Sequence, residues 1–352
     1  MNINKMGWFC NFKNYLKALP IGRTYSRLRN GINIKYIKSE NIMPLWVEHY
    51  GERAEGKIIY VVDEIYPSNG FCAAWLNWLC LMLFADRQGM VPYVKVKDGF
   101  IYSQKKPVNG TLNAFEFFFE QPYGLTWDDV TSGMNVVKSD KFHFRYILDE
   151  LDANDIDRYG EYTDFYSYLS KVQHKYIKLN SQTQTAIMND MKMLMGNKRI
   201  LGVHHRGTDF KRQYYDHPIY VSIEEKIEAV KRVCNEYDGI FLATDDADAV
   251  LAMKKEFGDK LYYYEDVSRS PGDIGVHLLN KKEDDSDRGY RLGYEIIRDV
   301  YTLARCNALI AGRSKVTTVA QIVKLSQNES YEHLEILFNG IYSKGKVFDK
   351  ED

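Results

Sequence analysis

The chain has 352 residues, 45% of them hydrophobic, with 27 Tyr, 17 Phe and only 8 Pro, a composition that supports packed cores and excludes a disordered protein. A chain of this length is expected to divide into two domains. The formal net charge of -1 excludes a general affinity for polyanions, so nucleic acid is not an expected partner.

Residues 1–39 hold Lys5, Lys13, Lys17, Arg23, Arg27, Arg29, Lys35 and Lys38 with no acid, interleaved with Trp8, Phe9, Phe12 and Tyr25. They read either as an arm that packs its aromatic side chains on the body or as a peripheral contact with an anionic membrane surface. Cys10, Cys72, Cys80, Cys234 and Cys306 show no CxxC spacing, which points away from a zinc site or disulfide framework and toward a reducing compartment. With no long apolar leader and no apolar run long enough to span a bilayer, the expected location is cytoplasmic.

The branched apolar run at 57–63 predicts a strand, followed by the turn-rich segment through Asn69 and Gly70. Residues 71–89, starting at Phe71, predict a core helix closed by Gly89, and 91–96 the next strand, giving a βαβ unit. Residues 140–195 read as helical and polar. Beyond a boundary placed near Gly196, strands at 199–205, 239–244, 260–264 and 308–311 alternate with helices at 222–237, 246–257, 289–306 and 314–325. Strict alternation predicts a Rossmann-like parallel sheet, whose ligands sit at the carboxyl ends of the strands. The expected organisation is an N-terminal arm (1–39), an N-terminal α/β domain (40–195) and a C-terminal Rossmann-like domain (196–352), the two domains facing a cleft.

Three strand ends carry chemistry. The first is His204-His205-Arg206-Gly207-Thr208-Asp209, where the Arg206 guanidinium offers paired donors matched to phosphate oxygens and stays protonated. The same residues also read as a salt-bridged turn. At the second, Asp245 and Asp246 follow Thr244, and Asp246 reads equally as a helix cap. The third, Gly312-Arg313-Ser314-Lys315-Val316, opens a helix, where a hydroxyl and free N–H groups suit an anion or serve as an ordinary cap. Asp299 lies on the apolar face of its helix and needs a partner: a guanine edge, Arg298, Arg305 or solvent. Asp284-Asp285-Ser286-Asp287 has the form of an acidic metal motif but sits in a charged, loop-like stretch, and no metal is expected. No GxSxG, HExxH or GxxxxGK[ST] occurs.

These segments, in this order, resemble the fucosyltransferase superfamily of α1,6-fucosyltransferases and protein O-fucosyltransferases, over about residues 57–95 and 199–325. The family's His-x-Arg-Arg-Thr-Asp signature is similar to residues 204–209, its Ala-Thr-Asp-Asp to 243–246, its late Asp-helix-Ser segment to Asp299 through Ser314, Lys315 and Val316, and its Gly-rich first loop to Asn69, Gly70 and Phe71. The resemblance implies a GT-B-like α/β fold and inverting, metal-independent transfer of L-fucose from GDP-fucose to a glycan or glycolipid hydroxyl, with no cofactor beyond the donor. It implies Arg206 at the β-phosphate, Asp299 at guanine, Ser314 and its neighbours at the diphosphate, and His204, Thr208, Asp245 and Asp246 around the nucleotide. Two features depart from the pattern. Gly207 stands in place of the second arginine, leaving Lys211, Arg212 or Lys315 as substitutes, and no acid follows directly after the signature, so Asp216 or Asp209 is the base. The departures keep open another GDP-sugar as donor, or a catalytically silent nucleotide- or glycan-binding protein. Residues 40–195 are expected on the acceptor side, and a basic arm at an anionic membrane surface would suit assembly of a lipid-linked surface polysaccharide.

Overall fold

In the computed structural model of the chain, the described residues are 35–37, 45–53, 57–63, 69–96, 99–133, 135–151, 163–212, 214–215, 217–276 and 286–342. In chain order the first elements are β1 (Lys35–Ile37), β2 (Leu45–Val47), β3 (Ile59–Val62), α1 (Phe71–Arg87), β4 (Val91–Val94), β5 (Phe119–Glu120), α2 (Trp127–Thr131), β6 (Val136–Lys138), α3 (Lys141–Glu150), α4 (Thr163–Tyr176), β7 (Lys178–Leu179) and α5 (Ser181–Met195). There follow β8 (Ile200–His205), α6 (Ile223–Val233), β9 (Gly239–Thr244), α7 (Ala247–Phe257), β10 (Leu261–Tyr262), α8 (Arg288–Arg305), β11 (Ala308–Gly312), α9 (Lys315–Ser326) and β12 (His333–Leu337). Apart from β1, the basic arm lies outside the described residues. Among the described residues no helix is long and apolar enough to cross a membrane.

The described residues of Met1–Glu64, Leu81–Lys95 and Gln121–Ile147 form one compact unit, and those of Ile65–Cys80, Val96–Glu120 and Leu148–Asp352 form a second. The first unit holds a parallel sheet of order β4-β3-β6. The β-branched run predicts β3, and the Pro92 of β4, which has no N–H to give, is tolerated because β4 is an edge strand. Val61, Tyr93, Val130 and Val136 close its core. The strand β6 carries no turn or periodicity signal of its own. The Thr126/Asp129 capping box starts α2.

The second unit holds a five-stranded, all-parallel sheet of order β10-β9-β8-β11-β12. Each pair of consecutive strands is joined through a helix, so every strand runs the same way and all carboxyl ends share one edge. The chain builds outward from β8 to β9 and β10, then returns to the other side of β8 for β11 and β12, which puts the topological switch point between β8 and β11. Leu201, Val203, Ile240, Leu242, Ala308 and Ile310 are buried beneath α6 and α7. β12, a half-buried strand, is absent from the sequence expectation. The amino-terminal part of α1 anchors an aromatic core in the same unit: Phe71 meets Tyr102 at 5.2 Å and Phe118 at 5.6 Å, and Trp78 meets Phe115 at 5.3 Å between ring centroids.

Candidate functional site

The register brings the three chemistry-bearing segments to one edge. His205 is level with Thr244 on β9, and His204 with Ala311 on β11, so residues 206–209, 245–246 and 313–316 leave the sheet side by side. Arg206, at the end of the central strand, is half-buried. Its Nη1 pairs with Asp245 Oδ2, and its Nη2 lies 2.8 and 3.0 Å from the two oxygens of Asp209. Although burial opposes the charge, the two carboxylates raise the Arg206 pKa further, so the guanidinium stays charged. In the sequence this segment read as a salt-bridged turn or an anion site. The salt-bridged turn is present, and it aims the guanidinium.

Gly207 donates its N–H to Asp245 Oδ1 at 3.0 Å, and a Cβ on this residue would fall on the Asp246 side chain. A side chain at 207 therefore has no room while Asp246 keeps its place. Thr208 adopts φ 44°, a left-handed conformation unusual for a branched residue, and its hydroxyl lies 2.8 Å from Asp245 Oδ2 and 3.0 Å from Asp209 Oδ1.

Asp246 is the cap of α7, accepting from Asp248 N–H at 2.9 Å, so that reading of it is borne out. Its second oxygen lies 2.6 Å from Lys211 Nζ and 3.7 Å from His205 Nε2. Burial works against ionisation, but His205 and Lys211 outweigh it and hold the carboxyl well below its ordinary range. Lys211 also donates to the Gly272 carbonyl at 3.1 Å, and Arg212 pairs with Asp273 at 3.2 Å, so both these cations are committed to the turn and its neighbour. Lys315 opens α9 beside Ser314.

Ser314 caps α9 by accepting from Thr317 N–H at 3.2 Å. The Thr317 hydroxyl donates to the Gly312 carbonyl at 2.9 Å and lies 3.1 Å from His204 Nδ1. The Ser314 hydroxyl lies 3.3 Å from the same Nδ1, so Ser314 and Thr317 together hold the His204 ring. Burial pushes the His204 pKa down to about 3, so the ring is neutral.

Asp299 accepts no hydrogen bond and makes no ion pair among the described residues. Burial pushes its carboxyl up to about 7, against the pull of Arg298 and Arg269. Neither arginine expected beside it supplies a partner: Arg298 turns to Asp190 at 2.9 Å and Asp266 at 2.5 Å, its guanidinium 3.9 Å from the Tyr264 ring centroid, and Arg305 turns to Glu329 at 3.7 Å. The first loop reaches the same neighbourhood. The Gly70 carbonyl starts α1, accepting from Ala73 and Ala74 N–H at 3.0 and 3.1 Å, while Asn69 stays partly exposed and the Phe71 ring is spent on the aromatic core. Buried Cys72 lies within electrostatic reach of both Arg206 and Asp299, and burial raises its thiol pKa. Buried Tyr102, its hydroxyl pushed up to about 12 by burial, lies within reach of Arg206 and Asp209.

Asp216 and the acids Asp284 and Asp285 lie outside the described residues. Among the described residues, no group of three or more His, Cys, Asp or Glu side chains is arranged to hold a metal ion. Sequence reasoning missed Tyr102, Thr317 and Lys226. The last had a signal: it sits three residues after Ile223 and four before Val230, on the buried stripe of α6.

No protein-family model matches the sequence, and no curated protein matches it. Among solved structures, the chain is similar to NodZ α1,6-fucosyltransferase soaked with GDP-fucose, at 18% identity and TM-score 0.49, over 76% of this chain and 93% of that one. It is similar to fucosyltransferase NodZ from Bradyrhizobium at 18% identity and TM-score 0.46, over 75% and 92% of the two chains. It is also similar to POFUT1 in complex with GDP at 11% identity and TM-score 0.42, over 80% and 98%. Likeness at this level leaves the activity to be argued from the chain's own residues.

Proposed function

We propose that the chain is an inverting, metal-independent glycosyltransferase that moves L-fucose from GDP-fucose to a glycan or glycolipid hydroxyl. The observation that carries the reading is the meeting of Arg206, His204 and the capped start of α9 at one sheet edge, on either side of the switch point between β8 and β11. Asp299, a carboxylate with no hydrogen bond or ion pair among the described residues, supports guanine as the base, because N1–H and the 2-amino group present two donors to one carboxylate.

In the reaction, the acceptor oxygen attacks the anomeric carbon, the bond from that carbon to the β-phosphate oxygen breaks, GDP departs, and the acceptor proton passes to a carboxylate base. Arg206 stabilises the charge that grows on the diphosphate. Asp209 and Asp245 hold its guanidinium in place beforehand, and such preorganised charge is commonly the largest protein contribution to the rate. Asp209 is engaged with Arg206 through both oxygens, which favours Asp216 as the base. Ser314, Lys315 and Val316 offer the start of α9 to the diphosphate, and His204 Nε2 is offered to a ribose hydroxyl. Residues 40–195 are assigned to the acceptor side and residues 1–39 to an anionic membrane surface.

The test is calorimetric binding of GDP, GDP-fucose, GDP-mannose and UDP in EDTA, with Arg206→Ala alongside. Guanine-selective binding that is lost in the variant is the expected result. Absence of GDP binding would overturn the reading. A second reading, a donor other than GDP-fucose, is favoured by Gly207, whose neighbourhood excludes a second arginine. Tighter binding of GDP-mannose than GDP-fucose would select it.

A further inference from the structure

Among the described residues, Lys226 is the one lysine that ranks among the largest fully buried side chains, at 1% exposure. Its ammonium lies beneath the strand end that carries Arg206: Nζ is 3.2 Å from His205 Nδ1 and donates to the Val221 carbonyl at 3.1 Å. A buried lysine costs stability unless something is gained by it, and none of the chemistry assigned above uses this one. The contact continues outward, since His205 Nε2 lies 3.7 Å from Asp246 Oδ2, the oxygen that holds Lys211, and Asp246 in turn packs against the backbone of Gly207.

We infer that Lys226 is a positioning residue for the proposed donor site: by donating to Nδ1 it fixes His205 as the Nε2–H tautomer, whose proton faces Asp246 and keeps that carboxylate clamped on Lys211 and the 206–209 turn. An ammonium only donates, so Nδ1 opposite it must hold the lone pair and Nε2 the proton. With the other tautomer, a ring lone pair would face the Asp246 carboxylate, and the clamp would lose an attractive contact for a repulsive one. Other groups face the pair: the Tyr220 hydroxyl, 3.4 Å from Nε2, can accept from this tautomer as well, the strand end of β9 brings Asp245 and Asp246, Glu225 lies on the helix of Lys226 itself, and on β11 a Cβ at Gly312 would come within 3.7 Å of Nζ. Burial lowers the Lys226 pKa to about 7, so near neutrality it also exists as an amine, which can accept as well as donate and no longer enforces the tautomer.

This inference rests on the donor-site reading, and the experiment separates the two. Full-length chain labelled with 15N-histidine is compared as wild type, Lys226→Met and the double variant Lys226→Met/His205→Gln. Methionine keeps the apolar stem and removes the donor, and glutamine keeps an amide donor where Nε2–H stood. In wild type below pH 7 the His205 nitrogens should show a lone pair at Nδ1 and a proton at Nε2. Lys226→Met should give a mixed tautomer and bind GDP roughly tenfold more weakly, as expected for loss of one charge-assisted hydrogen bond, with its thermal midpoint retained. The double variant should recover most of that affinity. An unchanged tautomer in Lys226→Met, or weakened GDP binding that glutamine does not rescue, would overturn the inference. If wild type does not bind GDP, the donor reading fails instead, and the tautomer spectra still decide whether Lys226 sets the His205 ring.

Discussion

Arg206 and Asp245 meet in a two-sided grip: the guanidinium pairs with one oxygen of the carboxylate, and the N–H of the next residue, Gly207, donates to the other at 3.0 Å. Side chain and backbone are therefore fixed by one acid. Arg206→Ala removes the cation and leaves Asp245 and Asp209 facing each other. Transfer is expected to fall by about two to three powers of ten, checked by initial rates on protein whose far-UV circular dichroism is unchanged. Retention of a normal rate would remove Arg206 from the chemistry.

The same grip makes Asp245→Ala a stability variant. Its loss frees one side of the half-buried Arg206 guanidinium, which keeps Asp209, and leaves the Gly207 N–H without its acceptor, at a cost of roughly 1–2 kcal/mol. Urea unfolding should show a lower midpoint with an unchanged slope.

Gly207 has no space for a side chain because Asp246 occupies it. Gly207→Ala is expected to destabilise by about 1–3 kcal/mol, and Gly207→Arg should fail to improve transfer although it restores the second arginine of the related signature. A faster Gly207→Arg variant would show that Asp246 moves aside.

Asp299 predicts opposite effects of one substitution on binding and stability. Its folded pKa, raised to about 7 by burial, exceeds the value of an unfolded aspartate. Its favourable contribution is therefore complete below the unfolded pKa and is lost as pH rises to about 7, and above that the buried charge is a fixed cost. Asp299→Asn should leave stability unchanged near pH 4 and raise it by on the order of 2 kcal/mol above pH 7, while weakening GDP. In wild type, GDP should bind more tightly at pH 8 than at pH 6. Thermal scans and calorimetry across this range check both signs.

His143 predicts acid sensitivity in the first unit. It is buried, stacked on Phe84 at 4.3 Å, and its Nδ1 accepts from Tyr60 OH at 2.8 Å and Asp140 N–H at 3.2 Å. Burial lowers its pKa to about 4. The unfolded ring takes up a proton first, so stability is full above the ordinary histidine pKa and declines as pH falls toward 4. His143→Gln should be less stable at pH 7 but lose less on acidification, measured by the thermal midpoint at pH 7, 6 and 5.

Local pattern was enough for much of the second unit. The runs at 199–205 and 239–244 are apolar and β-branched, the helices that follow them open on Ser222 and Asp246, and alternation of strand with helix permits little but a parallel sheet with shared carboxyl ends. The segments holding Arg206, Asp245 and Ser314 are therefore legible in the sequence as one edge. β6 and β12 were not, because a short strand is stabilised by the neighbours it pairs with more than by its own residues.

From its sequence alone, this chain determined which residue types leave each strand, since turn chemistry, capping and hydrophobic period act over a few positions. Tertiary structure alone decided strand order, and with it the switch point between β8 and β11. It also decided that Asp246 fills the space beside Gly207, that Asp299 meets no partner among the described residues, and that Lys226 lies under His205. Each of these depends on contacts between residues tens of positions apart, and such contacts are settled by how the layers pack.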